Sequence, residues 1–260
     1  MNGEKQDRIE IEDHGAVTLI AINRPAQRNA VDPETAALLD GVFDAFEADD
    51  DKSVAILTGR GPAFCAGFDL KAVSGGNFTY EPEGRGPMGP TRRLLSKPVI
   101  AAIEGYAVAG GLELALWCDL RIASASAVFG VFCRRWGVPL IDGGNVRLPR
   151  LIGHSRAMDM ILTGRPVAAE EALQFGLANR LVPEGRALEE ALTIAQTLAR
   201  FPQTCLRTDR MTAYQQWGLG LEEALRHEGI EGARPLAEDA ATGASRFASG
   251  LGRSGDFGRI

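Results

Sequence analysis

The stretch Val99–Cys133, VIAAIEGYAVAGGLELALWCDLRIASASAVFGVFC, decides how the rest of the chain is read. It opens with a β-branched, apolar run, Val99–Ile103, which has the pattern of a fully buried strand. Gly105 then turns the chain, and Ala109-Gly110-Gly111 leads straight into the apolar segment Leu112–Cys118. That segment reads as a buried helix with its N-terminus near Gly110. One carboxylate, Glu113, falls in its first turn among Leu112, Leu114, Ala115 and Leu116. An acid in so apolar a setting is costly unless it is paired or put to use. The glycine pair at the helix start also leaves free backbone N–H groups, which suit a developing negative charge.

Upstream, Ile9–Glu12 and Ala16–Ile22 flank Asp13-His14-Gly15 and read as a β-hairpin, with Gly15 supplying the turn. Asp32-Pro33 is an N-cap followed by proline at the first helical position. The helix it opens runs to about Ala48, with Leu39, Val42, Phe43 and Phe46 on one face. Ser53–Thr58 is a short apolar strand, broken by Gly59–Pro62, and Phe64–Leu70 is a turn into a helix. Ser74–Pro90 is rich in glycine and proline and reads as a mobile loop. Thr91–Ser96 reads as a short helix.

Downstream, Gly137–Gly144 is a loop from which a helix reaches Leu151. Arg156–Leu162 and Ala168–Phe175 are helices stopped by Gly164 and Gly176. Arg180–Val182 is a short strand, and Ala187–Ala199 has helical spacing. Beyond Pro202 the chain reads as helices with no strand. Strands alternate with helices early and helices dominate late, so an α/β core over residues 1–200 and a helical C-terminal region over 201–260 are expected.

The 260 residues are 45% hydrophobic and 24% charged, with a formal net charge of −6. The length is ample for a sizeable core, and the acidic balance excludes a generic nucleic-acid binder. Cys65, Cys118, Cys133 and Cys205 show no paired spacing and fit reduced thiols in a cytoplasmic protein. His14, His154 and His227 are not spaced as metal ligands, so no metal is expected. No apolar run reaches the roughly 18 residues of a membrane span. The polar, acidic start MNGEKQDRIEIED fits neither a signal peptide nor a transit peptide.

Two glycine-bearing turns, Ala66-Gly67 and Gly110-Gly111, each follow an expected strand. If they meet, two backbone N–H groups can bind one oxygen, and each such donor is typically worth ~3–4 kcal/mol in the transition state. Glu113 lies one helical turn from Gly110, and a carboxylate beside an oxyanion hole suits proton transfer next to a carbonyl. The same glycines also serve simply to allow tight strand-to-helix turns, and the residues alone leave both readings open.

The chain carries Arg24-Pro25 followed by Arg28-Asn29-Ala30-Val31, then Ala63-Phe64-Cys65-Ala66-Gly67-Phe68-Asp69-Leu70 and Lys97-Pro98-Val99-Ile100-Ala101-Ala102-Ile103-Glu104-Gly105-Tyr106-Ala107. Gly110-Gly111-Leu112-Glu113-Leu114 and Cys118-Asp119 come next. Arg147-Leu148-Pro149-Arg150-Leu151-Ile152-Gly153, Leu162-Thr163-Gly164, Ala168 to Ala172 and Gly176-Leu177 complete the set. In this order and spacing these segments resemble the crotonase (enoyl-CoA hydratase/isomerase) superfamily over nearly the whole chain. The resemblance implies a spiral of strand-strand-helix repeats and an acyl-CoA thioester substrate, with no cofactor beyond the coenzyme A of the substrate. It implies lyase or isomerase chemistry in fatty acid metabolism, with the amides of Ala66 and Gly110 holding the thioester oxygen and Glu113 as the acid–base residue. Arg28, Ala30 and Val31, together with Ala66, Phe68, Asp69, Leu70 and Gly110, match the places where the family lodges coenzyme A and the acyl group. Trimers or dimers of trimers, assembled through the C-terminal helices, are implied as well.

The departure from the family falls at Cys133. The resemblance places a second glutamate twenty residues after Glu113, and Phe132-Cys133-Arg134-Arg135-Trp136 stands there instead. A thiol with an ordinary pKa of about 8.5 is mostly protonated at neutral pH and cannot replace a carboxylate that positions water. Cys133 is then either a small residue opening the acyl pocket or a nucleophile activated by Arg134 or Arg135. Those arginines either contact a polar acyl group or lie on the surface, and Trp136 is expected in the pocket wall or the core. Asp142 is either a second carboxylate or the N-cap of the following helix. Asp119 is expected to pair with Arg121, and His154 to sit in a helix cap region. Arg246 and Arg253 either reach coenzyme A phosphates from a neighbouring subunit or lie on a solvated face. Three readings of function follow: an enolate-forming acyl-CoA enzyme, a catalytically silent acyl-CoA-binding protein, and a thiol-dependent acyl hydrolase.

Overall fold

The computed structural model describes residues 8–75 and 79–257. The first residues of the polar N-terminus (1–7), positions 76–78 within the Ser74–Pro90 segment, and residues 258–260 lie outside the described residues. The hairpin forms as expected: β1 (Ile9–His14) pairs antiparallel with β2 (Val17–Ile22), and Gly15 turns between them at φ +71°. Helix α1 (Pro33–Ala48) is capped by the Asp32 side chain, which accepts the Thr35 amide at 2.9 Å, and Pro33 opens it. Strand β3 (Val54–Gly59) and the short helix α2 (Leu70–Ser74) follow. The expected Thr91–Ser96 helix is instead a single 3-10 turn at Pro90–Arg92. Pro90 starts it, and Arg93 is already extended with φ −114° and ψ 158°.

The central stretch folds into more pieces than its periodicity suggested. Strand β4 (Val99–Ile103) is followed by β5 (Tyr106–Val108), helix α3 (Gly110–Trp117), β6 (Leu120–Ser124) and β7 (Val128–Gly130). A 3-10 segment covers Phe132–Trp136. Helices α4 (Gly144–Ile152) and α5 (His154–Thr163) come next, then β8 (Val167–Ala168), α6 (Ala169–Phe175), β9 (Arg180–Val182) and α7 (Ala187–Arg200). The C-terminal region is helical: α8 (Gln203–Gln215), α9 (Leu221–Glu231), α10 (Ala233–Glu238) and α11 (Ala240–Ala248). Gly164 and Gly176 end α5 and α6 in the left-handed conformation.

Two sheets result. The larger has the order β1-β2-β3-β4-β6-β9 and is parallel except at β1. The smaller has the order β5-β7-β8. Successive strand pairs β4–β5 and β6–β7 therefore send their first member to the large sheet and their second to the small one, each pair followed by a helix. Strand β4 is buried on both faces, which explains its unbroken apolar run. Val99, Ala101 and Ile103 enter the main core with Leu112, Leu114 and Phe129, whereas Ile100 and Ala102 face Ala187, Ala191 and Ile194 of α7. Asp119 corrects its expected pairing. It accepts from Arg210 Nε (2.8 Å), Tyr214 Oη (2.9 Å) and the Val99 amide (2.8 Å), fastening α8 to the core. Arg121 turns inward instead, donating to the carbonyls of Leu177 (2.6 Å) and Cys118 (2.8 Å).

Candidate active site

The two glycine turns meet. Cys65 and Ala107 form a parallel bridge, with the Cys65 amide on the Tyr106 carbonyl (2.9 Å) and the Val108 amide on the Cys65 carbonyl (3.1 Å). This draws Gly67 against the start of α3 so closely that a Cβ on Gly67 would lie 2.9 Å from the Gly110 nitrogen, and one on Gly111 would lie 2.0 Å from the Cys65 carbonyl oxygen. Ala109, the residue before α3, has φ +53°, a left-handed value for a non-glycine residue that costs on the order of 1–3 kcal/mol. No side chain caps α3, so its first amides remain available.

These amides open into a cavity of about 620 Å³. Gly110, Glu113, Cys133 and Asp142 line it, as do Arg28, Ala66, Phe68 and Leu70. Ala30, Val31 and Asp69 do not. Val31 is fully buried behind the wall, and Asp69 faces Arg24 at 3.3 Å. Arg28 and Asn29 both have positive φ, and the Asn29 amide group holds that turn by donating to the Arg60 and Ala63 carbonyls. The turn aims the Arg28 guanidinium over the Tyr106 ring, 5.7 Å from its centroid, at the cavity.

Ala66 lines the cavity, but its amide is engaged: it donates to the Arg28 carbonyl at 3.0 Å. This corrects the expectation that Ala66 N–H receives a substrate oxygen. Two residues on, Phe68 bridges Val31 in parallel: the Val31 amide donates to the Gly67 carbonyl (2.9 Å) and the Asp69 amide to the Val31 carbonyl (2.8 Å). That pattern turns the N–H of Phe68 itself away from Val31.

Glu113 is buried at the floor of the cavity. Its Oε1 accepts two backbone amides, Asp142 and Gly144, each at 2.8 Å. Gly144 permits this contact, since a Cβ there would fall 2.9 Å from Oε1. Burial, reinforced by the nearby Asp142 charge, pushes the Glu113 carboxyl up to about 7 against the pull of the two amides. Cys133 is buried close by. Burial first, and the Glu113 charge second, raise its thiol above the ordinary range, so it stays protonated at neutral pH. Arg134 pulls the other way without cancelling the rise. Arg134 Nε donates to the Ile161 carbonyl at 2.9 Å, and Arg135 stacks on Phe132 at 4.8 Å.

Asp142 is not a helix cap. Gly143, at φ +94°, takes the N-cap position of α4 and offers no side chain. The Asp142 carboxylate points into the cavity wall, where Oδ1 accepts the Met88 amide (3.0 Å) and the Thr91 hydroxyl. Burial raises its pKa. Met88 covers Gly110 so tightly that a Cβ on that glycine would be 2.6 Å from its sulfur.

Met88 and Thr91 escaped the sequence reading. The closely spaced glycines and prolines of 86–90 were the available signal, because Gly86 leaves the space that the Asp142 and Thr91 oxygens occupy. The described part of the Ser74–Pro90 segment is tethered by Arg92, which donates to the carbonyls of Glu81 (3.0 Å), Pro82 (2.7 Å), Gly84 (3.1 Å) and Ile141 (2.9 Å). Trp136 lies on the cavity rim, 65% exposed, and not in the core. His154 opens α5 and is exposed. Arg253, just beyond α11, donates to the Phe247 and Ala248 carbonyls at the end of that helix.

Three kinds of similarity bear on this architecture. The model of the enoyl-CoA hydratase/isomerase family matches residues 12–229. Among curated proteins, the chain is 38% identical over 251 residues to enoyl-CoA hydratase EchA19 of Mycobacterium tuberculosis, covering 88% of this chain and 92% of the relative. It is 37% identical over 224 residues to (E)-benzylidenesuccinyl-CoA hydratase of Thauera aromatica, covering 84% of each. Among solved structures, enoyl-CoA hydratase EchA1 from Mycobacterium marinum superposes with a TM-score of 0.88 at 36% identity, over 93% of this chain and 96% of that one. The α/β architecture is thus the crotonase fold, and the chain belongs to the enoyl-CoA hydratase/isomerase family of the crotonase superfamily.

Proposed function

We propose that this chain is an enzyme acting on an enoyl-CoA thioester through an enolate, by hydration or double-bond isomerisation. One observation carries the reading: Glu113, buried and held through Oε1 by two backbone amides, sits one turn from the uncapped Gly110 amide on the same cavity. In this mechanism the uncapped Gly110 amide at the start of α3 holds the thioester oxygen and stabilises the negative charge that develops there. Glu113, poised near neutrality, moves the proton. The Arg28–Tyr106 side of the cavity receives coenzyme A. The protonated Cys133 speaks against the thiol hydrolase.

Exposed apolar side chains on α9 to α11 (Leu221, Leu225, Leu236 and Phe247) support assembly of several copies through residues 201–260, as a trimer or a dimer of trimers. The place of action in this reading is the cytoplasm, in acyl-CoA metabolism. The test is turnover of a panel of short and long trans-2-enoyl-CoAs and 3-enoyl-CoAs by wild type and Glu113→Gln. Wild-type turnover, lost on the order of 10²–10⁴-fold in the variant, is expected. Binding of acyl-CoA without turnover of any member would instead establish a silent binding protein.

A further inference from the structure

We propose that Asp142 is the second carboxylate of this site: Glu113 and Asp142 hold one water between their cavity-facing oxygens and add it across the double bond of an enoyl-CoA. The inference rests on the proposed acyl-CoA chemistry and names hydration as its reaction. Each carboxylate has one oxygen fixed and one left over. Glu113 Oε1 takes the amides of Asp142 and Gly144, while Oε2 accepts nothing among the described residues and is not sealed from the cavity. Asp142 Oδ1 takes the Met88 amide and the Thr91 hydroxyl, while Oδ2 likewise accepts nothing and is open. The Asp142 amide on Glu113 ties the two groups together. A carboxylate with one oxygen anchored in this way presents the other in a fixed direction, as positioning of water requires.

The charges favour a shared proton. The groups facing the pair are Arg92, Arg147 and Cys133. Arg92 donates to the Ile141 carbonyl, and Arg147 to the carbonyls of Asp142 (3.1 Å) and Thr91 (2.7 Å). Among the described residues no cation forms an ion pair with either carboxylate. Arg147 draws both carboxyls down, and Arg92 draws Asp142 down, from a distance and without pairing; burial outweighs them, so the two neighbouring carboxylates keep one proton between them. Hydration uses that state. The water oxygen bonds to Cβ, and the π pair moves towards the thioester oxygen. The ionised carboxylate takes the water proton, and its protonated neighbour gives a proton to Cα. One water is added, and the pair ends with one proton, as it began.

Hydration of a trans-2-enoyl-CoA and isomerisation of a 3-enoyl-CoA are followed in wild type, Asp142→Asn, Glu113→Gln and Thr91→Val. Asparagine keeps an oxygen for Met88 and Thr91 and removes the acid. Asp142→Asn is expected to lose hydration on the order of 10²–10⁴-fold while the protein still folds and binds acyl-CoA with unchanged affinity. Thr91→Val, which only loosens Asp142, loses less. Wild-type hydration should be bell-shaped in pH, because one group must be ionised and the other protonated. This profile decides the matter even where Asp142→Asn does not fold, and a single-limbed profile overturns the pair. Hydration within about tenfold of wild type in Asp142→Asn, with Glu113→Gln silent, overturns the inference and leaves the enolate reading standing. So does a wild type that isomerises, in a Glu113-dependent way, but never hydrates. A wild type that binds acyl-CoA and turns over neither substrate removes both.

Discussion

The amide of Asp142 lies 2.8 Å from Oε1 of Glu113, so the loop that carries one buried carboxylate also holds the other. Arg147 closes the arrangement from behind by donating to the Asp142 carbonyl at 3.1 Å. Orientation of the Glu113 carboxyl is thereby built into backbone and not left to a flexible side chain. The arrangement costs stability, since a buried carboxylate is held where its ionised form is disfavoured.

That cost has a sign. Burial places Glu113 near 7, above its ordinary 4.5. Between those values the folded chain holds a proton that the unfolded chain has lost, so stability from this group is full below about 4.5 and is lost as pH rises through about 7. Glu113→Gln keeps the amide contacts and removes the titration. Relative to wild type it should gain up to about 3 kcal/mol at pH 8 and almost nothing near pH 4.5, while losing turnover. Thermal unfolding of both proteins at the two pH values measures this. A constant difference would place the Glu113 carboxyl at its ordinary value.

Gly67 tests the meeting of the two turns. It has φ +99°, and a Cβ would come within 2.9 Å of both the Gly110 nitrogen and the Ala109 Cβ. Gly67→Ala must push the start of α3 away from the Cys65–Phe68 turn. Turnover should fall on the order of 10²–10³-fold, the usual loss when one oxyanion donor is displaced. A destabilisation of about 1–3 kcal/mol should accompany it. Unchanged kcat with a shifted melting point would mean that the turns serve packing alone.

How much of this the residues announced depends on range. Val99–Ile103, the Asp32-Pro33 cap and the Gly164 and Gly176 stops are local signals, and the structure follows them. Strands β5 and β7, of three residues each, are too short to show a period, and it is the single bridge from Cys65 to Ala107 of β5 that brings Gly67 to Gly110. The fate of the Ala66 amide was hidden for a similar reason. Its acceptor, the Arg28 carbonyl, is presented by a turn made possible by left-handed Arg28 and Asn29, far away in sequence. Asp142 before Gly143-Gly144 has the sequence of a cap. Only Met88 and Thr91, arriving from another loop, draw its carboxylate into the cavity.

Cys133 stands where the resemblance places a second glutamate, and its environment holds the thiol neutral through burial and the Glu113 charge. Incubation with acyl-CoA at pH 7 should therefore leave the Cys133 peptide at its unmodified mass. An acylated peptide would restore the thiol nucleophile. Cys133→Glu adds another acid to the same cavity, beside a carboxyl already near 7. Like charges at close range raise one another, so the acid limb of the pH–rate profile should move to higher pH. The variant should also lose about 1–3 kcal/mol of stability at pH 8, where the added carboxylate must be buried charged. A profile that does not move would mean that position 133 and Glu113 do not share a cavity, and the departure from two glutamates would then have no bearing on the reaction.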